Sequence, residues 1–270
     1  MAAKKAVTAT AATPRDSKRQ AELHAAVLAA PDDTSPRLVY ADWLTEHGDP
    51  YGEFITISCE LDRPLWSNRT IPNGEGRIGE MGARQQALLK KHGKQWLEPV
   101  RPFVRVWVWE RGFIEKLYVN ASFFGGSRTV FEHHPVRILC FEGLKAGDLE
   151  KFREIELGNL RELDLTGAPI TEKNIGPLLG PGLSRIQRLN FHGARLLKNG
   201  LVDLAEKSHL HALEHLSIPS CQVDDEGLRA LAASKALPKL KTIRASAFLT
   251  DVASADTLDA LRQRFDLTLQ

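Results

Sequence analysis

The sequence predicts an α/β protein in which a small all-α unit precedes an array of parallel strands, and three observations lead there. One phrase, apolar-x-x-apolar-x-apolar, recurs as Leu160-x-x-Leu163-x-Leu165, Ile186-x-x-Leu189-x-Phe191, Leu213-x-x-Leu216-x-Ile218 and Leu240-x-x-Ile243-x-Ala245. Its second apolar position advances in steps of 26, 27 and 27 residues. Each phrase suits a short strand and leads into a helical stretch, expected over 172–179, 198–207 and 225–234, the last capped by Asp224. Upstream, residues 20–100 carry helix signals without that phrase. A period in the twenties with this spacing is the mark of a leucine-rich-repeat solenoid, in which no repeat buries its apolar face alone and stacked neighbours build a continuous core.

The elements follow in order. Residues 20–30 read as a short helix closed by Pro31, and Asp32-Asp33-Thr34-Ser35-Pro36 as a helix start with Ser35 as N-cap and Pro36 at the first helical position. Leu38, Val39, Ala41, Trp43 and Leu44 continue that helix to Gly48. Asp49-Pro50 opens a third helix whose apolar stripe is Phe54, Ile57 and Leu61. Five prolines and glycines over 63–79 predict a loop, and a fourth helix is expected over 81–96, with Lys90, Lys91 and Lys94 near its C-terminus where cations suit the dipole.

The β-rich run 103–109, the turn Glu110-Arg111-Gly112 and Phe113-Ile114 predict a hairpin that closes the first edge of the array. Its second arm, Ile114-x-x-Leu117-x-Val119, has the repeat spacing, and Pro135-x-x-Ile138-x-Cys140 has it in weaker form, giving early repeats of 21 and 25 residues. Residues 256–264 and 265–269 finish the stack. The expected division is a disordered basic tail over 1–19, the helical unit over 20–100, the repeats with their hairpin over 101–250, and a C-terminal cap over 251–270.

Composition narrows the function classes. With 270 residues, 43% of them hydrophobic, the chain can bury more than one core. A net charge of +2 supplies no global field for nucleic acid. The tail holds Lys4, Lys5, Arg15, Lys18 and Arg19 against Asp16, which reads as a solvated leader. No run reaches the roughly 18 apolar residues of a membrane span, and the basic start lacks the apolar stretch of a secretory signal. Cys59, Cys140 and Cys221 are too few and too far apart for a disulfide framework, so a cytoplasmic location is expected.

Residues 38–55, Leu-Val-Tyr-Ala-Asp-Trp-Leu-Thr-Glu-His-Gly-Asp-Pro-Tyr-Gly-Glu-Phe-Ile, resemble the bacterial repeat-companion domain, a helical module of unknown function found beside leucine-rich repeats. The resemblance is nearly continuous over 20–61, and the later Trp-Glu-Arg-Gly-Phe-Ile-Glu-Lys stretch resembles the junction that precedes repeats in such proteins. The repeats themselves resemble the ribonuclease-inhibitor-like class, which implies a horseshoe with parallel strands lining its concave side. That class commonly places Asn or Cys three residues beyond the third apolar position. Here those positions are Ala168, Ala194, Cys221 and Phe248. The family assigns no catalytic residue, so none is carried over.

Candidate chemistry is sparse. His211-Ala-Leu-Glu214-His215 matches H-x-x-E-H, a zinc-peptidase pattern that requires a helix. On a strand the two imidazoles stand roughly 13 Å apart, too far for one metal. Asp42, Glu46, His47, Asp49 and Glu53 crowd the helical unit, and paired carboxylates can bind a divalent cation or act as acid and base. A metal-dependent effector or enzyme centred there is the alternative reading; helix caps and a solvated face are the plainer one. Trp107 and Trp109 beside Arg105 offer stacking platforms for bases, against plain packing on the helical unit. No phosphate-cradling glycine motif is present in the sequence.

The strand residues between apolar positions are expected to face outward along the concave side. There Tyr118, Leu139 and Phe141 are expected to form an apolar patch flanked by Lys116, Arg137 and Arg188, with His192 and Arg244 further along. Tyr and Arg are common binding anchors. The sequence thus predicts a non-catalytic interaction or scaffold protein that takes another protein on this face, without cofactor, metal, nucleic acid or membrane, and leaves the oligomeric state open.

Overall fold

A computed structural model describes residues 14–62, 76–155, 157–197 and 199–270. The chain divides into two compact units. One holds the residues up to Glu98 together with Trp109–Ile114; the other holds Pro99–Val108 and Glu115–Gln270.

The first unit contains α1 (Pro14–Ala29), α2 (Ser35–Glu46), α3 (Pro50–Leu61) and α4 (Arg77–Leu97), each packed on the next. Helix α1 begins earlier than the sequence suggested and takes in the end of the expected basic tail; the rest of that tail, and most of the loop expected over 63–79, lie outside the described residues. Asp49 caps α3, its Oδ1 accepting from Tyr51 N at 2.9 Å, with Pro50 supplying a first helical residue that needs no partner for an N–H. Helix α2 starts differently: Ser35 lies inside it, the N-cap Thr34 makes no side-chain bond, and Asp33 Oδ1 accepts from Ser35 N at 2.8 Å. The acid one residue upstream of the cap supplies the acceptor that the Ser35 hydroxyl was expected to provide.

The core of this unit gathers Leu23, Val27, Tyr40, Ala41, Leu44, Ile55 and Cys59 around Phe113. Arg37 is fully buried beneath it. Its guanidinium donates to Pro31 O at 2.8 Å and Arg111 O at 3.3 Å and lies 5.3 Å from the Phe113 ring centroid. Tyr51 donates from its hydroxyl to Gly112 O at 2.8 Å. The Arg111-Gly112 turn is thereby held from two helices. Trp109 meets Phe54 edge-on at 5.4 Å, which gives it a packing role.

An eight-stranded sheet runs in sequential order: β1 (Val106–Glu110), β2 (Phe113–Val119), β3 (Ile138–Phe141), β4 (Glu162–Asp164), β5 (Arg188–Asn190), β6 (His215–Ile218), β7 (Thr242–Ala245) and β8 (Asp266–Leu269). From β2 onward every pairing is parallel. One register runs through them all: Leu117, Leu139, Leu163, Leu189, Leu216, Ile243 and Leu267 stand side by side. All but the last are at most 1% exposed. Burying each such side chain contributes about 1.5–3 kcal/mol, so this column helps to hold neighbouring strands together.

Connections pass over the other side of the sheet. They include α5 (Ser127–His133), α6 (Asn199–Lys207), α7 (Asp225–Ala233), α8 (Leu249–Val252) and α9 (Ala255–Arg264), with α6 packed on α7 and α7 on α9. Asp224 caps α7 as expected, accepting from Gly227 N at 2.9 Å. The helix expected over 172–179 is reduced to a 3₁₀ turn at Gly176–Leu179, because Pro177, Gly180 and Pro181 interrupt any longer run. The same happens to Phe103, which closes a 3₁₀ turn with Pro102 rather than opening the hairpin strand.

The strand register corrects one reading. The sequence phrase puts Pro135, Ile138 and Cys140 inward on the third strand; the residues facing the core are instead Val136, Leu139 and Phe141, at 0%, 0% and 3% exposure. Alternating strands put neighbours on opposite faces, so a slip of one residue exchanges the whole row. The first two spacings along this column, Leu117 to Leu139 and Leu139 to Leu163, are accordingly 22 and 24 residues.

Candidate functional site

The candidate site is the open face of the sheet in the second unit. Its first column is Lys116, Ile138, Glu162, Arg188, His215 and Thr242, and its second is Tyr118, Cys140, Asp164, Asn190, Ser217 and Arg244. Parallel strands place neighbouring members of a column about 4.8 Å apart. The result is a continuous mixed surface, with Arg188 and Arg244 exposed and the aromatic Tyr118 half-buried at one end.

Local interactions preorganise this face. Lys116 Nζ lies 5.1 Å from the Tyr118 ring centroid, and the Tyr118 side chain holds the ammonium pKa above its ordinary value, chiefly by hydrogen bonding. Arg188 approaches Glu162 at 3.9 Å across the β4–β5 pairing. Asp164 Oδ1 accepts from Thr166 N at 2.8 Å, and Asn190 Oδ1 accepts from His192 N at 3.1 Å, so the chain leaves both strands through the same side-chain-capped bend. Arg244 Nε donates to Gln270 Oε1 at 2.8 Å. Burial pushes the Cys140 thiol up to about 11, with nearby Asp164 adding to the shift, which keeps this position neutral.

Lys116, Tyr118, Arg188 and Arg244 lie on the open face as expected, and His192 is exposed at the strand exit. Leu139 and Phe141 do not: both are core, with Phe141 stacked on Phe124 at 5.1 Å and edge-on to Phe152 at 5.4 Å. Arg137 belongs to their inward row and pairs with Glu115 at 3.0 Å, where the Glu115 side chain is 1% exposed. The places given to Leu139 and Phe141 are taken by Ile138 and Cys140. A signal for this was available, since Val136-x-x-Leu139-x-Phe141 fits the phrase with larger apolar residues than the alignment one position earlier.

The acidic residues of the helical unit have other occupations. Asp49 caps α3, and Glu53 receives both Arg84 Nε and Nη2 at 2.6 Å, which lowers its pKa. His47 stacks on Trp43 at 3.9 Å, and its Nδ1 lies 2.7 Å from Trp43 O. In the H-x-x-E-H stretch, Glu214 accepts from Lys241 Nζ at 2.6 Å, and His215 Nδ1 lies 2.6 Å from Thr242 Oγ1 on the next strand. Among the described residues no three His, Cys, Asp or Glu side chains converge as a metal-holding group. No helix among them is long and apolar enough to cross a membrane.

What fold and site define together is an α/β protein whose regularly paired parallel strands present one broad face of mixed character. No family model matches the chain, and no curated protein sequence matches it.

Proposed function

We propose that this chain is a non-catalytic interaction or scaffold protein of the leucine-rich-repeat kind, in which the open, concave face of a solenoid captures another protein. The observation that carries the reading is the unbroken register from Leu117 to Leu267, which aligns outward side chains of seven strands into one continuous surface. Tyr118 and Arg188 are the anchors: one an aromatic backed by Lys116, the other an exposed guanidinium with an acidic neighbour. Recognition would rest on shape and charge complementarity, with Lys116, Glu162, Asp164, Arg188 and Arg244 fixing orientation. The helical unit would act as a companion module.

The test is affinity capture from the native cell followed by mass spectrometry, repeated with Tyr118→Ala combined with Arg188→Ala. Anchors of this kind contribute on the order of 2 kcal/mol each, so the double variant is expected to bind roughly 700-fold more weakly. Its circular dichroism and melting temperature should match the parent, since neither side chain is core. Undiminished capture of the same partner would refute the open-face reading.

A further inference from the structure

A second, shorter ladder runs beside the main sheet. Thr171, Arg195 and Gln222 form successive isolated parallel bridges just beyond β4, β5 and β6. Gln222 N donates to Ala194 O at 2.9 Å, and Leu196 N donates to Gln222 O at 2.8 Å. Both main-chain groups of Gln222 therefore face the preceding turn. By the geometry of parallel pairing, Cys221 C=O and Val223 N–H face the other way, toward the turn that follows.

Among the described residues, that turn extends no backbone rung. Arg195 and Gln222 each stand four residues beyond the third apolar position of their phrase, and the equivalent residue after Ala245 is Leu249. Leu249 opens helix α8, so no further rung forms. Among the described residues, neither Cys221 C=O nor Val223 N–H takes part in a backbone hydrogen bond. The position occupied by Ala168 and Ala194 in earlier turns, where both are buried, is here Phe248, a side chain 66% exposed.

Beside this edge lies a pocket of about 470 Å³ between the turns at 218–223 and 245–252. Its walls include Leu197, Ile218, Val223, Leu249 and Val252, and no charged side chain lines it. Ser220 N donates to Ser246 Oγ at 2.6 Å, which ties the two walls together. Burial pushes the Cys221 thiol up to about 11, and its Sγ donates to Phe191 O at 3.0 Å, so this group is neutral as well.

An uncharged, mostly apolar pocket next to a main-chain donor and acceptor of matching spacing is complementary to an extended peptide. Backbone pairing supplies affinity in such sites, and a pocket for one side chain supplies selectivity. We propose that Cys221 C=O and Val223 N–H, with the pocket capped by Phe248, take an extended uncharged segment of a partner protein as a fourth rung, seating one aliphatic or aromatic side chain. A charged side chain is excluded because the walls offer it no counter-ion.

The test titrates the full ¹⁵N-labelled chain with a pool of acetylated, amidated pentapeptides whose central residue is Val, Ile, Leu or Phe and whose flanking residues are Ser, Thr or Ala. Saturable shifts centred on the Val223 and Cys221 amides are expected. A pool N-methylated at the central and adjacent amides should bind at least tenfold more weakly, and so should the parent pool to Phe248→Asp, whose substituted side chain is exposed enough to leave the fold intact. Arg188→Ala should bind the pool as the parent does, which separates this site from the open face. No shift at millimolar peptide, equal affinity for the N-methylated pool, or undiminished binding by Phe248→Asp would each overturn the proposal.

Discussion

Replacing Arg137 with alanine removes a guanidinium from a carboxylate that the fold has taken out of water. The Glu115 side chain is 1% exposed and that of Arg137 is 28% exposed, with Nε 3.0 Å from Oε2. Breaking a fully buried pair by removing one partner costs about 3–5 kcal/mol, because the remaining charge keeps its desolvation penalty. Arg137 reaches partly into solvent, which screens its share of the interaction, and water can enter the space it leaves. Roughly 2–4 kcal/mol is the expected cost. For a unit of this size that corresponds to a fall in melting temperature of roughly 4–16 °C. The assay is urea and thermal unfolding of Arg137→Ala, Glu115→Met, and the double variant Glu115→Met with Arg137→Met. The single Arg137 change should be the most damaging. The double change should recover most of the loss, since an apolar pair of similar volume carries no charge to desolvate. A stability within about 0.5 kcal/mol of the parent for Arg137→Ala, the range of an ordinary surface substitution, would refute the reasoning. It would also return Arg137 to the candidates for partner contact.

Two further outcomes follow from local geometry. Gly112 has φ +84°, and a Cβ there would fall 2.7 Å from Ile55 Cα. Gly112→Ala should therefore cost roughly 2–4 kcal/mol of first-unit stability, read by chemical denaturation, and an unaffected variant would contradict the tight turn-to-helix approach. Cys140 and Cys221, both with thiols near 11, should react with iodoacetamide far more slowly at pH 7.5 than in the denatured chain. Their rates should climb with pH up to about 11, because only the thiolate attacks. Fast labelling of either at neutral pH would show that burial does not hold these thiols protonated.

The parts of the fold that could be read along the chain rest on local chemistry. Leu163, Leu189, Leu216 and Ile243 mark their strands because a strand alternates faces and a regular period brings the same face back to the core. Asp49-Pro50 and Asp224 announce helix starts because an acceptor side chain satisfies amides that the first turn cannot. These signals need only a few neighbouring residues. Helix α1 shows their weakness: its early start at Pro14 left no clear mark in an Ala- and charge-rich stretch.

By itself, then, the sequence determined an α/β chain with helices first and a series of strands after, together with the outward placement of Lys116, Tyr118, Arg188 and Arg244. Tertiary structure alone decided which of two overlapping phrases set β3. Leu139 and Phe141 prevail over Ile138 and Cys140 because they fill the space left by Leu117, Leu163, Phe124 and Phe152, a demand made by neighbours distant in sequence. It likewise made Arg137 an internal counter-charge and left the Cys221–Val223 edge without a rung. Both depend on what stands across a gap between turns, and pairwise distance is the one quantity a linear pattern does not contain.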